Sequence, residues 1–268
     1  MIVDCFTFWN ELDILEIRLN ELYDTVDKFV IVEASRTQTL LPKPYYFEEN
    51  KQRYSKFLDK IIHIKVENHP DNGSNLWNME NFQRNSITNG TNQLNLSDED
   101  IILISDLDEI PRASILTKLK DHSSLEYASL EMMFSAYFLN LKSSHRNWIG
   151  TVAVKNKIYK QHNPQFFRNI KDRLPVIVNG GWHFSWCGGY EQIHAKAHSC
   201  IEPFDKSTLP TLEEFQLHFE NFVKNDNKFF IHLENLSKQE TEFSKIDIDE
   251  TYPKFVLENT KKYSKYIL

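Results

Sequence analysis

The chain has 268 residues, 41% hydrophobic and 13% aromatic, with a formal net charge of −7 and a sequence pI near 5.8. That length and apolar content can build a substantial core and exclude a disordered chain. An acidic balance without a Lys/Arg run speaks against a nucleic-acid partner. The cysteines, Cys5, Cys187 and Cys200, are odd in number and contain no C-x-x-C, so they predict neither a disulfide framework nor a structural zinc site. Reduced thiols suit a cytoplasmic setting. The opening MIVDCFTFWNELD has early acids and no basic or long apolar stretch, and no 18-residue apolar window follows. Neither a signal peptide nor a transmembrane helix is expected.

IVDCFTF (2–8) predicts a short strand. NELDILEIRLNELYDTV (10–26) places Leu12, Leu15, Ile17, Leu19 and Leu22 mostly along one helical face, with Asn10 as N-cap. KFVIVEAS (28–35) and KIIHIKV (60–66) read as strands, and NLWNMENFQRNSI (75–87) has helical spacing. IILI (101–104) is a buried-strand pattern, and PRASILTKLKD (111–121) opens a helix with Pro111 at its first position. This alternation argues for a parallel sheet with helices on its faces. In such sheets ligands gather at the carboxyl ends of the strands, where Glu33-Ala34-Ser35 and Asp106-Leu107-Asp108 both fall.

YASLEMMFSAYFLNLK (127–142) predicts a long strand or a hairpin. IGTVAVKN (149–156) and LPVIVNGGWHFSW (174–186) predict further strands, and from about residue 211 TLEEFQLHFENFVKN turns helical and charged. With no repeat and no Gly/Pro-rich linker, the expectation is an α/β domain over 1–205 with a helical extension, 206–268, packed on it.

Asp-x-Asp occurs at 98–100, 106–108 and 247–249. The first and last lie in polar surroundings and read as solvated surface. Asp106-Leu107-Asp108 directly follows four apolar strand residues, so strand alternation puts both aspartates on one side and turns Leu107 to the core. Two hard carboxylates there suit Mg2+ or Mn2+ gripping a diphosphate. The competing explanation is an acidic turn at a helix N-terminus. NGGWHFSWCGGYE (179–191) holds four of the seven glycines and two of the five tryptophans. Its glycines permit close ligand approach. Trp182, Trp186 and Tyr190 offer sugar-stacking faces for an acceptor. His183 offers a metal ligand or a core histidine, and Glu191 a general base or a helix-start charge.

Five separated segments occur in order: DCFTFWNELDILEIRLNEL, VIVEASRTQT…PKP, NMENFQRNSI, ISDLDEIPR and GGWHFSWC…E. Together, over roughly residues 2–200, they resemble glycosyltransferase family 17. The resemblance implies an α/β GT-A-type nucleotide-diphospho-sugar transferase fold with a mostly parallel central sheet. It implies an inverting enzyme that uses a UDP-sugar donor, UDP-GlcNAc by family expectation, and a glycan or glycolipid acceptor. Asp106, Asp108 and His183 would hold Mn2+ or Mg2+. Phe6, Thr7, Glu33, Arg84, Asn85, Asp106 and Leu107 would meet the nucleotide-sugar. Glu191 would be the base, with Glu131 and Asp172 as the other acids to test. A bacterial or viral enzyme, cytoplasmic or peripheral to a membrane, is the expected source. Two other readings stay open: a sugar nucleotidyltransferase or phosphohydrolase using the same acids, and a non-catalytic glycan-binding module.

Overall fold

A computed structural model describes residues 1–68, 70, 77–121, 125–200, 209–225 and 243–268. Four strands form a parallel half-sheet: β1 (Ile2–Phe8), β2 (Lys28–Ala34), β3 (Ile61–Val66) and β4 (Ile101–Asp106). They lie in the order β3-β2-β1-β4. Their near-continuous apolar character follows from burial on both faces. In β1, Ile2, Phe6 and Phe8 pack into one core layer and Val3 and Cys5 into the other. In β4, Ile101 and Leu103 join the first layer and Ile102 and Ile104 the second. Helix α1 (Leu12–Leu22) covers the first face through Ile14, Leu15, Ile17, Leu19 and Leu22. Helices α3 (Trp77–Asn85) and α4 (Ile87–Thr91) approach the sheet at β1 and β2, and Ile87 packs into the second layer.

Beyond β4 the sheet turns antiparallel through β8 (Trp148–Lys155), β6 (Tyr127–Ala136), β7 (Leu141–Ser143) and β10 (Phe243–Lys245). The apolar run at 127–142 is therefore two strands. Strand β9 (Val176–Ser185) runs parallel to β6, and the short β5 (Glu109–Pro111) pairs antiparallel with β9. This mixed α/β sheet, parallel from β3 to β4, antiparallel beyond and flanked by helices, is the GT-A-type arrangement anticipated from the sequence.

Among the described residues, the remaining α-helices are α2 (Tyr46–Glu49), α5 (Ala113–Asp121), α6 (Asn156–Tyr159), α7 (Pro164–Ile170), α8 (Tyr190–Ser199), α9 (Leu212–Asn225) and α10 (Lys254–Glu258). Helices α8 and α9 pack Ile193, Ala197, Phe215 and Phe219 against Phe134 and Phe138 in a third core. The C-terminal stretch returns to α1: Tyr252, Val256, Tyr263 and Tyr266 complete the first core layer. The hydroxyl of Tyr263 donates to Glu16 at 3.3 Å, and that of Tyr266 donates to Asp13.

Two helix starts differ from expectation. Helix α1 begins at Leu12 with Glu11 at the N-cap and no side-chain cap, because the Asn10 amide oxygen accepts from Gln192 Nε2 instead. Pro111 ends β5 opposite Gly181, and α5 opens at Ala113. Pairing with β9 outweighs the local preference of proline for a helix start, and an edge strand tolerates it. Asp100, expected on the solvated surface, is buried and ion-paired with the N-terminal ammonium at 2.5 Å. Among the described residues, no helix is long and apolar enough to cross a membrane.

Candidate active site

The carboxyl ends of β1 and β4 and the end of β9 open onto a cleft of about 610 Å3. Arg36, Lys43, Arg84, Arg168, Lys171 and Lys196 line it, outnumbering the acids Glu11, Glu80, Asp106 and Asp108. A chain of net charge −7 thus gathers six basic side chains at one concavity, two of which, Lys43 and Arg168, are also paired with the buried Glu33 and Glu109.

Asp106, Asp108 and Glu109 coexist because each is matched by cations from distant parts of the chain. Asp106 Oδ1 accepts from Arg84 Nη2 at 2.8 Å and Oδ2 from Arg168 Nη2 at 2.5 Å. Burial alone would raise the Asp106 carboxyl; the charges of Arg168 and Arg84, with the Arg84 hydrogen bond, hold it well below the usual range. Asp108 Oδ2 lies 3.4 Å from Lys196 Nζ, and Oδ1 lies 3.6 Å from His183 Nε2. Burial again acts upward, and Lys196 and His183 bring the Asp108 carboxyl down to about 2. Glu109 is fully buried and accepts from Arg168 Nη1 at 2.8 and 2.9 Å, Trp148 Nε1 at 2.6 Å and the Asp106 amide at 3.2 Å. Arg168, shared between Asp106 and Glu109, is held above its ordinary value: their charges overcome its burial.

The turn carrying these acids is fastened from below by Arg18 of α1, which is fully buried. Its guanidinium grips Asp4 in two bonds, 2.8 and 2.6 Å, and donates to Ser105 Oγ at 2.6 Å. It also donates to the carbonyls of Asp106, Leu107 and Glu109 at 3.0, 3.0 and 2.9 Å. A planar fork with five N–H groups serves this many acceptors; an ammonium has three.

Strand β9 sorts its residues by alternation: Trp182 and Phe184 enter the core, while His183 and Ser185 line the cleft. β5 pairs Glu109 opposite His183 and Pro111 opposite Gly181. A Cβ at Gly181 would lie 2.0 Å from the Ile110 carbonyl oxygen, so glycine is what lets the acidic turn rest on β9. Trp186 follows in the left-handed region, φ 58°, and lines the cleft beside Phe134 and Trp148.

The whole chain, residues 1–268, matches the family model described as Glycosyltransferase family 17. The chain belongs to this family. Curated relatives include the β-1,4-mannosyl-glycoprotein 4-β-N-acetylglucosaminyltransferase of Homo sapiens, 25% identical over 224 residues, 73% of this chain and 42% of the relative. The enzyme of the same name from Rattus norvegicus is 24% identical over 225 residues, with the same shares covered. The chain thus spans less than half the length of these relatives. Among solved structures, it is similar to S. aureus TarS 1-349, with TM-score 0.37 and 10% identity over 88% of this chain and 76% of that one. It is also similar to the inositol-1-phosphate CTP transferase from T. maritima, with TM-score 0.37 and 9% identity over 80% and 95%. The sequence relatives named here are mammalian and lend no support to a bacterial or viral source.

In this family 17 chain, Thr7, Arg84, Asp106, Leu107, Asp108, His183 and Trp186 come together around the cleft. The other sequence-predicted residues lie outside its lining, each for a physical reason. Phe6 is fully buried under the Arg18 guanidinium, 4.3 Å from its ring centre. Glu33, also buried, accepts from Lys43 Nζ and His63 Nε2, each at 3.1 Å, and thereby positions the cleft-lining Lys43. Asn85 spends its amide oxygen on the Gln165 amide at the start of α7, at 3.0 Å. Trp182 is buried, donates to the Thr251 carbonyl at 3.0 Å and lies under Arg112. Tyr190 packs toward Phe219, and Glu191 is exposed on the first turn of α8. Glu131 lies on β6, and Asp172 is exposed beside Lys171.

Sequence reasoning missed Arg18, Arg168, Lys196 and Glu11. Arg18 left a signal: it lies on the face of α1 that buries Ile14, Leu15 and Leu22, a position where a charge demands a buried partner. Arg168 and Lys196 sit in stretches whose local pattern does not mark them out.

Proposed function

We propose that the chain transfers a sugar, GlcNAc by family expectation, from a UDP-sugar to a hydroxyl of a glycan or glycolipid acceptor, with inversion at the anomeric carbon. The observation that carries this reading is the placement of Asp106 and Asp108 at the end of β4, in a cleft whose basic side chains outnumber its acidic ones. A nucleotide diphosphate is an anion that the cleft cations, Arg36 and Lys171 among them, would meet.

The donors present suit a divalent ion in part. Asp106 has both oxygens on guanidinium groups and is committed to positioning. Asp108, ionised down to about pH 2, and His183, whose Nδ1 is buried with no partner, are the pair that would hold Mn2+ or Mg2+. Among the described residues, no group of three His, Cys, Asp or Glu forms a complete protein site. An ion held by Asp108 and His183 would keep waters and take its remaining ligands from substrate phosphates. When bound, such an ion stabilises the charge that develops on the departing diphosphate.

The protein groups divide the rest of the work. Arg84 and Arg168 fix the acidic turn and carry positive charge at the cleft wall. Phe134 and Trp186 line the cleft but are 3% and 4% exposed, so the half-buried Trp148 and the exposed Trp77 would be the aromatic surfaces that meet sugar rings. Among the cleft carboxylates, Glu80 is paired with Arg84, Asp106 with two arginines, and Asp108 is assigned to the metal. Glu11 remains, paired at 3.4 Å with Lys196 and, among the described residues, with no arginine. It takes the place of the exposed Glu191 as the base that accepts the acceptor hydroxyl's proton.

The test is a thermal-shift titration with UDP-, GDP- and TDP-sugars, with and without Mn2+, followed by an assay of UDP release. A ligand at 100 times its Kd adds about 2.7 kcal/mol. Stabilisation by a UDP-sugar with Mn2+, and UDP release on adding acceptor, are expected. No stabilisation by any UDP-sugar at millimolar concentration, under either condition, refutes the reading.

A further inference from the structure

Lys196 occupies a position that the metal reading does not account for. It stands in α8 with its Nζ 3.4 Å from Asp108 Oδ2 and 3.4 Å from Glu11 Oε1, and 5.5 Å from the centre of the Trp186 ring. The carboxylate assigned to the divalent ion therefore already faces a cation of the protein itself. Its other oxygen faces His183. A lysine there has a consequence for binding order. An ammonium and a divalent ion repel each other when both sit against one carboxylate, so the ion must displace Lys196 from Asp108. The lysine stem is flexible and its head is a compact charge, which makes such a movement cheap.

We propose that Lys196 is a resident counter-ion: it holds the place of the divalent cation on Asp108 in the empty cleft and yields it when the ion arrives with a diphosphate. This inference rests on the metal-dependent reading above. Before ligand arrives, Lys196 holds Asp108 in place from 3.4 Å. Once displaced, its charge is within the same cleft as the diphosphate and pairs with it. The divalent ion and the nucleotide then bind cooperatively: the ion alone meets a site already neutralised, and the diphosphate gives the released lysine a new partner.

The experiment measures Mn2+ binding directly, from the loss of the free aqua-ion EPR signal and by calorimetry, with and without UDP and with no acceptor present. The variants are Lys196→Met, Lys196→Arg, Lys171→Met and Lys196→Met/Asp108→Asn, each first shown by circular dichroism and melting to be folded. In the wild type, Mn2+ alone binds weakly and UDP strengthens it. Lys196→Met should tighten nucleotide-free Mn2+ binding about tenfold or more and shrink the enhancement by UDP. Lys196→Arg should stay near wild type. Lys171→Met removes an equivalent charge from the cleft wall, away from Asp108, and should change Mn2+ affinity by less than about threefold. The Asp108→Asn change should erase the gain of Lys196→Met.

Unchanged Mn2+ affinity in Lys196→Met, in a protein whose wild type binds Mn2+ with UDP, overturns the inference and leaves the metal reading standing. An equal gain in Lys171→Met also overturns it, because the effect would then belong to the general field. Absence of Mn2+ binding in every form, with and without UDP, overturns the inference and the metal reading together.

Discussion

Arg18→Met separates what holds the fold from what shapes the site. Methionine keeps a flexible apolar stem next to Phe6 but supplies no donor. Asp4, fully buried, then loses both hydrogen bonds and its counter-charge. Removing one partner of a buried ion pair costs about 3–5 kcal/mol, because the remaining charge is stranded in low dielectric. The carbonyls of Asp106, Leu107 and Glu109 and the Ser105 hydroxyl lose a donor as well. The expected loss is therefore about 4 kcal/mol or more in urea unfolding. Adding Asp4→Asn removes the stranded charge and should restore more than half of that loss. It returns nothing to the turn carbonyls, so affinity for UDP with Mn2+ should stay at least about tenfold below wild type in the double variant. Arg18→Lys should fall between, with three donors for six acceptor contacts. A loss below about 1 kcal/mol for Arg18→Met, or full recovery of nucleotide affinity in the double variant, refutes the assignment of Arg18 as the clamp of the acidic turn.

The Asp108 carboxyl, depressed to about 2 in the folded protein, contributes stability that is fully present above its unfolded value near 4 and is lost as pH falls from about 4 to 2. Urea titrations at pH 5, 4 and 3 should show about 1 kcal/mol of this limb missing in Asp108→Asn; superimposable wild-type and variant profiles contradict it. Gly181→Ala sets a Cβ 2.0 Å from the Ile110 oxygen and 2.9 Å from the Pro111 Cα, both backbone atoms. It should cost about 3 kcal/mol or more, whereas a loss under about 1 kcal/mol would show that β5 is free to move off β9. Glu11→Gln should lower the rate of sugar transfer about 10²- to 10⁴-fold while UDP and Mn2+ still bind, and Glu191→Gln should leave it within about twofold of wild type. The reverse ranking returns the base to Glu191.

How much of this could be read in advance depended on the range of the interaction. The parallel strands were legible because burial on both faces leaves a near-continuous apolar run, as in IILI (101–104). Element ends were less so. Pro111 has a local preference for a helix start, but its strand partner Gly181 lies in a segment whose pairing no local pattern announces. The same division holds in the site. The aspartates after β4 stood out as like charges following a buried strand, and alternation in WHFS could have sent Trp182 inward and His183 outward. The strand-end rule picked the correct edge of the sheet for Glu33 yet could not foresee that Lys43, His63 and the amide of Phe47 would consume its carboxylate.

The cations that make the acidic turn possible come from far along the chain: Arg18, Arg84, Arg168 and Lys196 lie 88, 22, 62 and 88 residues from the Asp106 or Asp108 atoms they touch. Their distances from the acids also rank what each can do. Arg84 and Arg168 bond Asp106 at 2.8 and 2.5 Å and are tied down by further acceptors, Gln165 and Glu80 for one and Glu109 for the other. Groups so fixed make a rigid electrostatic wall. Lys196 stands at 3.4 Å from each of two carboxylates, a looser contact on a flexible stem. The two aspartates thus differ in how they are held: Asp106 is locked by two arginines, and Asp108 faces one lysine on a flexible stem.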